Sequence, residues 1–148
     1  MKKLTLTIAS ILLTGILLAQ DYTPPSSATS AFKAKYPSGV VQEWYDNDTE
    51  IVCYFENGDN YGSAHFTVKG AWVRSEFTLS EEEIPNAIST SIKSKYADGE
   101  IIDVMKIENT KGTQFKVVIY NPIEESDYAV TLDDTGKIIK EEDLNAED

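Results

Sequence analysis

The sequence contains a single histidine, His65, and a single cysteine, Cys53, so any Ser-His-Asp or Cys-His catalytic device has to use His65. The alternating apolar pattern predicts that these two residues lie on neighbouring strands with opposite parity, and their side chains then point to opposite faces of a sheet. A zinc site needs three or four nitrogen or sulfur ligands, which this inventory does not supply. The sequence also has no glycine-rich phosphate loop. We therefore predict no catalytic residues, no metal site and no cofactor, with Cys53 a buried and inert thiol.

Carboxylates are plentiful, because the chain has 25 Asp and Glu residues against 13 Lys and Arg residues. The segment Asp46–Glu50 resembles the start of a calcium loop, but it lacks the glycine required at the sixth position and has Asn57 in place of the closing glutamate. The run Glu81–Glu83 is better explained by a following helix, whose N-terminus favours negative charge. The strong acidity opposes binding to nucleic acid and to anionic lipid, so we expect no nucleic-acid partner.

The N-terminal residues predict export. Lys2 and Lys3 precede an uncharged apolar run, Leu4–Leu18, which ends at the small residue Ala19. This pattern is typical of a secretory signal peptide over residues 1–19. A membrane anchor is the alternative, although the run is shorter than the roughly 20 apolar residues that a membrane-spanning helix needs. We expect a periplasmic or secreted protein without membrane insertion after signal cleavage.

The remainder of the chain is one pattern written twice. Pro25–Trp44 and Pro85–Val104 match at an offset of 60 residues, including a Lys-x-Lys-Tyr sequence and a later glycine in both copies. The residues after each copy also match, with Gly70 answering to Gly136. Apolar residues at spacings of three and four predict a helix at the start of each copy. We therefore predict two repeats, residues 20–80 and 81–148, which together form one compact domain.

Each helix should be followed by four antiparallel strands. Asn57-Gly58-Asp59-Asn60 is a strong hairpin signal between two apolar runs. The predicted N-terminal cap of the first helix is Ser26 or Ser27, whereas Ser80 and Glu83 have the spacing of a capping box before the second helix. The predicted strands are Val40–Tyr45, Glu50–Glu56, Tyr61–Val68, Ala71–Phe77, Glu100–Glu108, Gln114–Asn121, Ser126–Asp133 and Lys137–Glu141.

Strand parity predicts one packed sheet face and one open sheet face. The positions expected to face the helices are Ile51, Cys53, Phe55, Ala64, Phe66 and Val68 in the first copy, and Phe115, Val117, Ile119, Val130, Leu132 and Asp134 in the second. The open face then carries the other parity, namely Val52, Tyr54, His65, Thr67, Lys116, Val118, Tyr120, Thr131 and Asp133.

Aromatic residues are concentrated in the first repeat. Eleven of the fifteen Phe, Trp and Tyr residues lie within residues 20–80, and the second repeat uses aliphatic residues at matching positions. Because both copies need the same core, we interpret the excess as surface. The candidate binding residues are Tyr54, His65, Tyr45, Tyr61 and Tyr120, since aromatic side chains are typical of binding hot spots. The alternative is that these rings only cover the open sheet face.

These residues resemble a known family, the exported PepSY-like domains described as beta-lactamase-inhibitor-like. The resemblance is carried by Phe32, Tyr36-Pro37, Trp44, Phe66, Gly70 and Trp72 in the first copy, and by Pro85, Ile92, Tyr96, Val104, Leu132 and Gly136 in the second. It implies an α+β fold in which two tandem units, each a helix on a four-stranded antiparallel sheet, form one curved sheet with the helices on one face. It implies nothing catalytic, because its motifs are structural.

Three functions remain open on the sequence. The first is a non-enzymatic exported protein-binding module, an inhibitor-like or sensor-like partner of an envelope or extracellular protein that binds through the open sheet face. The second is a small-ligand carrier that uses an aromatic-rich groove of the first repeat. The third is an enzyme, which would require a metal or cofactor that the sequence does not indicate.

Overall fold

The computed structural model describes residues 22–146, so the predicted signal peptide, residues 1–19, lies outside the described part of the chain. The elements are α1 (Ser26–Lys35), β1 (Val40–Asp46), β2 (Glu50–Asn57), β3 (Asn60–Thr67), β4 (Trp72–Thr78), a 3₁₀ turn (Glu81–Glu83), α2 (Asn86–Lys95), β5 (Glu100–Asn109), β6 (Gly112–Asn121), β7 (Ser126–Asp133) and β8 (Ile138–Asp143). The strands form one antiparallel sheet in chain order, β1 to β8. The predicted α+β architecture is confirmed, and the strand boundaries differ from the predicted ones by at most two residues.

Both helices begin and end in the same way. Pro25 and Pro85 occupy the N-cap positions without a side-chain cap, and proline suits a helix start because its missing N–H has no intrahelical partner there. The predicted serine cap of α1 is therefore wrong, and Ser27 Oγ instead donates to the Lys69 carbonyl at 2.9 Å. The predicted capping box of Ser80 and Glu83 is present, but it closes the 3₁₀ turn and not α2.

Each helix covers its own hydrophobic cluster on the same face of the sheet. Under α1, Phe32 packs with Ile51, Cys53, Phe55 and other buried residues. Under α2, mostly aliphatic residues form the second cluster, together with the rings of Tyr96 and Phe115. The predicted helix-facing parity is confirmed for the central residues of β2, β3, β6 and β7. Val68 and its counterpart Asp134 are exceptions, because β3 ends at Thr67 and β7 ends at Asp133. The Val68 side chain is 53% exposed, and Asp134 is also exposed.

The glycines of the last hairpin in each repeat bring that hairpin close to the helix. Gly70 and Gly136 have φ angles of +84° and +86°, in the left-handed region that favours glycine. A Cβ at Gly136 would lie 2.5 Å from the Ala87 carbonyl oxygen, and one at Gly70 would lie 2.6 Å from the Ala28 nitrogen. Glycine is needed at these turns for both its conformation and its lack of a side chain.

Two features give the sheet a continuous open face. A bulge in β4 pairs His65 with Arg74 but Phe66 with Trp72, so Arg74 lies on the open face and Trp72 packs on the helix side. The pairing of β4 with β5, from Arg74–Asn109 to Thr78–Met105, joins the two repeats. The open face therefore runs from the first repeat into the second.

Candidate functional site

Three tyrosines stack across the open face of the first repeat, and we call Tyr45, Tyr54 and Tyr61 the tyrosine ladder. The Tyr45 and Tyr54 ring centroids are 5.7 Å apart with an interplanar angle of 27°. The Tyr54 and Tyr61 centroids are 6.3 Å apart and the rings are nearly parallel, at 8°. Tyr61 is 54% exposed, and the other two are partly exposed. The ladder is a strip of aromatic surface held in one orientation by its own stacking.

A polar network lies beside the ladder on the same face, and we call Glu50, Ser63, His65, Arg74 and Glu76 the His65 network. The ring of His65 contacts Glu50 Oε2 through Nδ1 and Ser63 Oγ through Nε2, each at 3.0 Å. Arg74 donates to Glu50 Oε1 at 2.5 Å and to Glu76 Oε1 at 2.6 Å. The second terminal nitrogen of Arg74, Nη2, lies 3.0 Å from His65 Nδ1.

Two carboxylates of this network, Glu50 and Glu76, share the single guanidinium of Arg74. The Arg74 guanidinium, and after it His65, hold the pKa of Glu50 below its ordinary value against the opposing effect of burial. Arg74 lies between two carboxylates, so neither carboxylate is left without a donor. The neighbouring Tyr54 side chain, followed by burial, raises the pKa of Tyr45, and Tyr45 therefore stays uncharged at neutral pH.

His65 lies beneath the surface and not on it. The residue is only 8% exposed, because the network covers both ring nitrogens. The structure thus places this candidate binding residue beside the tyrosines, where little of its side chain is exposed for contact. Sequence reasoning missed Glu50, Ser63, Arg74 and Glu76. The hairpin turn at Asn57-Gly58 fixes the register that pairs Val52 with His65. Glu50 lies two residues before Val52 and therefore on the same face as His65, so the turn was a signal that could have brought Glu50 and His65 together.

Tyr120 is not part of this site. The pairing runs from Tyr54 through Ser63, Glu76 and Ile107 to Gln114, and Tyr120 lies further along the strand of Gln114. Four strand spacings and six residues separate the two tyrosines by about 19 Å across the sheet and about 20 Å along it. The structure therefore divides the candidate residues into a cluster of four in the first repeat and a distant fifth.

The aromatic excess of the first repeat is mostly core, which corrects the interpretation of it as surface. Five of the eleven rings are buried under α1 and three more pack against that cluster, whereas only the ladder lies on the open face. In the core, the Phe55 ring lies 5.0 Å from Phe32 and 4.5 Å from Tyr36 between centroids. The second repeat fills the equivalent space mostly with aliphatic side chains, and only Tyr96 and Phe115 are buried rings there.

Cys53 lies in the helix-side core, whereas His65 lies on the open face. Burial raises the pKa of the Cys53 thiol to about 12, so the thiol stays protonated at neutral pH. The two side chains are on opposite sides of the sheet, as the parity predicted. Within residues 22–146, no group of three or more His, Cys, Asp and Glu side chains is arranged to hold a metal ion.

A shallow groove of about 230 Å³ borders the ladder, lined by Tyr54, Tyr61, Ser63, Glu76 and Met105 among others. It lies where the first repeat meets the second, since Met105 belongs to β5. Aromatic rings, a thioether and the Glu76 carboxylate, which is paired with Arg74, surround it. This composition suits an apolar or aromatic group of a partner more than a free ion.

Several solved structures share this fold. A BLIP-like protein from Bacteroides fragilis NCTC 9343 matches with a TM-score of 0.74 and 20% identity, over 86% of this chain and 91% of that one. A DUF2874 family protein from Bacteroides ovatus ATCC 8483 matches with a TM-score of 0.73 and 22% identity, over 83% and 89%. A protein described as "putative periplasmic" from Bacteroides eggerthii DSM 20697 matches with a TM-score of 0.70 and 17% identity, over 83% and 91%.

Sequence comparison identifies the family. Curated proteins give no match to this chain. In the described part of the chain, no helix has the length and apolar character that crossing a membrane requires. The family model described as "Putative beta-lactamase-inhibitor-like, PepSY-like" matches residues 49–140, a range that includes Tyr54, Tyr61 and the whole His65 network. The chain therefore belongs to the PepSY-like, beta-lactamase-inhibitor-like family.

Proposed function

We propose that this protein is a non-enzymatic exported module that binds an envelope or extracellular protein through the tyrosine ladder, as an inhibitor-like or sensor-like partner. The observation that carries the proposal is the ladder itself, three stacked rings on the open sheet face with Tyr61 more than half exposed. The family description, beta-lactamase-inhibitor-like, supports a role in binding proteins and not in catalysis. The description of a structural neighbour as periplasmic supports export.

The ordering of the ladder before any partner binds favours recognition. A tyrosine offers a large apolar ring and a hydroxyl, and it has only two side-chain torsions to immobilise on binding. Here stacking already restricts those torsions, and the His65 network joins β2, β3 and β4 beside the rings. A partner that covers these rings therefore loses little conformational freedom on binding. An aromatic strip with such prior ordering has the character of a hot spot.

The charge of the surroundings indicates the partner's chemistry. The chain carries a formal net charge of −12, and the predicted removal of Lys2 and Lys3 would make it more acidic. Electrostatic steering then favours a partner with a basic surface around the tyrosine contact. The carboxylates of the His65 network are occupied by Arg74, so the contact at the ladder itself is aromatic and apolar.

A capture experiment tests the proposal. Mature protein, residues 20–148, is immobilised and exposed to envelope extract of the source cell, beside Tyr54→Ala, Tyr61→Ala and Tyr120→Ala variants. We expect a protein that wild type and Tyr120→Ala retain and that both ladder variants lose. Tyr120→Ala is the matched control, because it removes a tyrosine from the same face about 20 Å along the sheet. Equal capture by all four proteins would refute the proposal.

Stability measurements separate contact from packing. Tyr61→Ala should leave thermal unfolding nearly unchanged, since the side chain is 54% exposed. His65→Ala is unsuitable as a binding probe, because it leaves polar groups of the network unpaired. A small-ligand carrier is the alternative outcome: if no protein is retained, a ligand held at the groove beside Tyr54 and Met105 should appear in native mass spectra of the purified protein.

A further inference from the structure

A larger groove lies on the second repeat, away from the tyrosine ladder, and we call it the β5 groove. Its volume is about 440 Å³, within the roughly 300–1,000 Å³ typical of ligand sites. Its apolar lining comes from α2, from the N-terminal half of β5 and from the connection between β4 and α2. These side chains are Leu79, Ile84, Ile92, Ile101, Ile102 and Val104. Ile102, at the rim, is 58% exposed.

Two positions that line the β5 groove carry smaller side chains than their counterparts in the first repeat, which are aromatic. Ile92 answers to Phe32 and Val104 to Trp44 in the repeat alignment. The Phe32 and Trp44 rings meet edge to face, with centroids 6.0 Å apart. Two smaller aliphatic residues replace that pair in the second repeat, so the space between helix and strand is larger there.

The contacts of the matching glycines show the same difference. A Cβ at Gly39 would lie 2.9 Å from the tip of the Phe32 ring. At Gly99, which lines the β5 groove, the nearest atoms belong to Ile119 and Tyr96 and not to the helix residue Ile92. At Gly99 the closest contact, at 2.7 Å, is a methyl group of Ile119, and no helix ring is among the nearest atoms.

The same groove borders a free strand edge. Along the part of the chain that the structure describes, the pairing of β4 with β5 begins at Arg74–Asn109 and ends at Thr78–Met105. One further hydrogen bond follows, from the Leu79 nitrogen to the Val104 carbonyl oxygen at 2.8 Å. Residues 100–103 of β5 therefore have no ladder partner on the β4 side. A bulge between Ile101 and Asp103 lies within this free segment. An unpaired edge beside an apolar groove is the geometry that β-strand addition uses.

We infer that the β5 groove binds an extended segment of a partner polypeptide that pairs with the free edge of β5 and inserts one aromatic side chain between α2 and β5. The first repeat shows the chemistry of the occupant, because its own Phe32 and Trp44 rings lie in the corresponding position. The lining carries two carboxylates, Glu81 and Asp103, and one amine, Lys93. Because the carboxylates are in excess, basic residues beside the aromatic side chain complement the charge. This surface and its occupant are independent of the tyrosine ladder.

Peptide titration followed by two-dimensional ¹⁵N NMR tests the inference on the mature full chain. The probes are the acetylated and amidated tripeptides Lys-Trp-Lys, Lys-Ala-Lys and Glu-Trp-Glu. We expect Lys-Trp-Lys to shift the amide signals of residues 100–104 and to saturate at roughly millimolar concentration. Lys-Ala-Lys and Glu-Trp-Glu should each bind at least fivefold more weakly, because one lacks the ring and the other has the wrong charge.

Three variants locate the site. Ile102→Lys places a positive charge on an exposed rim position and should weaken Lys-Trp-Lys at least fivefold, whereas Ile139→Lys, the same change at a 47% exposed position on β8, should not. The double variant Ile92→Phe with Val104→Trp should close the groove as the first repeat is closed, and abolish the shifts. Tyr54→Ala should bind normally, which separates this inference from the function of the ladder.

The outcomes are decisive in both directions. Equal binding of Lys-Trp-Lys and Lys-Ala-Lys would reduce the effect to charge attraction and overturn the inference, as would the absence of any shift at residues 100–104. Unchanged binding by Ile102→Lys would place the peptide elsewhere and overturn it too. If the double variant does not fold, the comparison of Ile102→Lys with Ile139→Lys still decides.

Discussion

Replacing Arg74 with methionine should destabilise the fold by about 2–3 kcal/mol at neutral pH. The guanidinium makes charge-assisted bonds of 2.5 Å to Glu50 and 2.6 Å to Glu76, and each bond of this type contributes roughly 1.5–3 kcal/mol. The three side chains are 24 to 29% exposed, so solvent screening keeps the total below the simple sum. Methionine preserves the aliphatic packing but leaves both carboxylates beside His65 without their cation.

The dependence of this loss on pH has a definite sign. Arg74 lowers the pKa of Glu50 below its ordinary value of 4.5. A carboxyl group whose folded pKa is lowered stabilises the fold above its unfolded pKa, and this stabilisation disappears as the pH falls through the folded pKa. The difference in unfolding free energy between wild type and Arg74→Met should therefore be full at pH 7 and shrink below pH 4.5.

Urea denaturation followed by tryptophan fluorescence measures the free energy of unfolding at each pH. Lys140→Met is the matched control, because it removes a pair with Glu142 whose side chains are 61% and 47% exposed. Such a pair contributes about 0–1 kcal/mol. If Arg74→Met costs no more than Lys140→Met at pH 7, or costs the same at pH 7 and pH 3, the network is not the electrostatic support inferred here.

Two further predictions concern the turns and the core. Gly136→Ala should lower the free energy of unfolding by at least about 2 kcal/mol more than Gly58→Ala in the same denaturation assay. Both glycines have positive φ, but of the two only Gly136 has backbone, that of Ala87, within reach of an added Cβ. Equal losses would contradict this. Cys53 should not react with Ellman's reagent in the folded state at pH 8. Burial raises the pKa of Cys53 from 9.0 to about 12, so the free energy of unfolding should fall as the pH rises through this interval. The Cys53→Ala variant should lose less stability over the same pH range. Rapid labelling of the folded protein would contradict the burial.

The sequence predicted the fold well because its signals are local and occur twice. The matched glycines, the Asn57-Gly58 turn and the alternation of apolar residues locate each strand, and the second copy confirms each assignment. Boundaries failed where one residue decides them. Val68 continues the alternation of β3, but the tight turn at Gly70 ends the strand at Thr67. Ser26 was a plausible cap, yet the helix takes Pro25 instead.

The site was harder to predict because it depends on register across several strands. Tyr45, Tyr54 and Tyr61 share a face by parity alone, so the sequence places them on the open face. The polar surroundings of His65 depend on a bulge in β4, which pairs His65 with Arg74. No local pattern indicates that bulge.

The aromatic count was misleading for a related reason. Two repeats with the same backbone do not need the same side chains, because a core of Phe and Trp and a core of Ile and Val can both pack under one helix. The first repeat uses its extra rings inside, and only the ladder remains on the surface. The same difference leaves the β5 groove in the second repeat, which composition alone does not show.

The central claim is that a partner recognises the tyrosine ladder, and the most direct measurement is the affinity of the captured partner for matched variants. Isothermal titration calorimetry with purified partner should show that Tyr54→Ala and Tyr61→Ala weaken binding by roughly tenfold or more. Tyr120→Ala should bind within about twofold of wild type, since it lies well outside the contact. Unchanged affinity for both ladder variants, or an equal loss for Tyr120→Ala, would contradict the account.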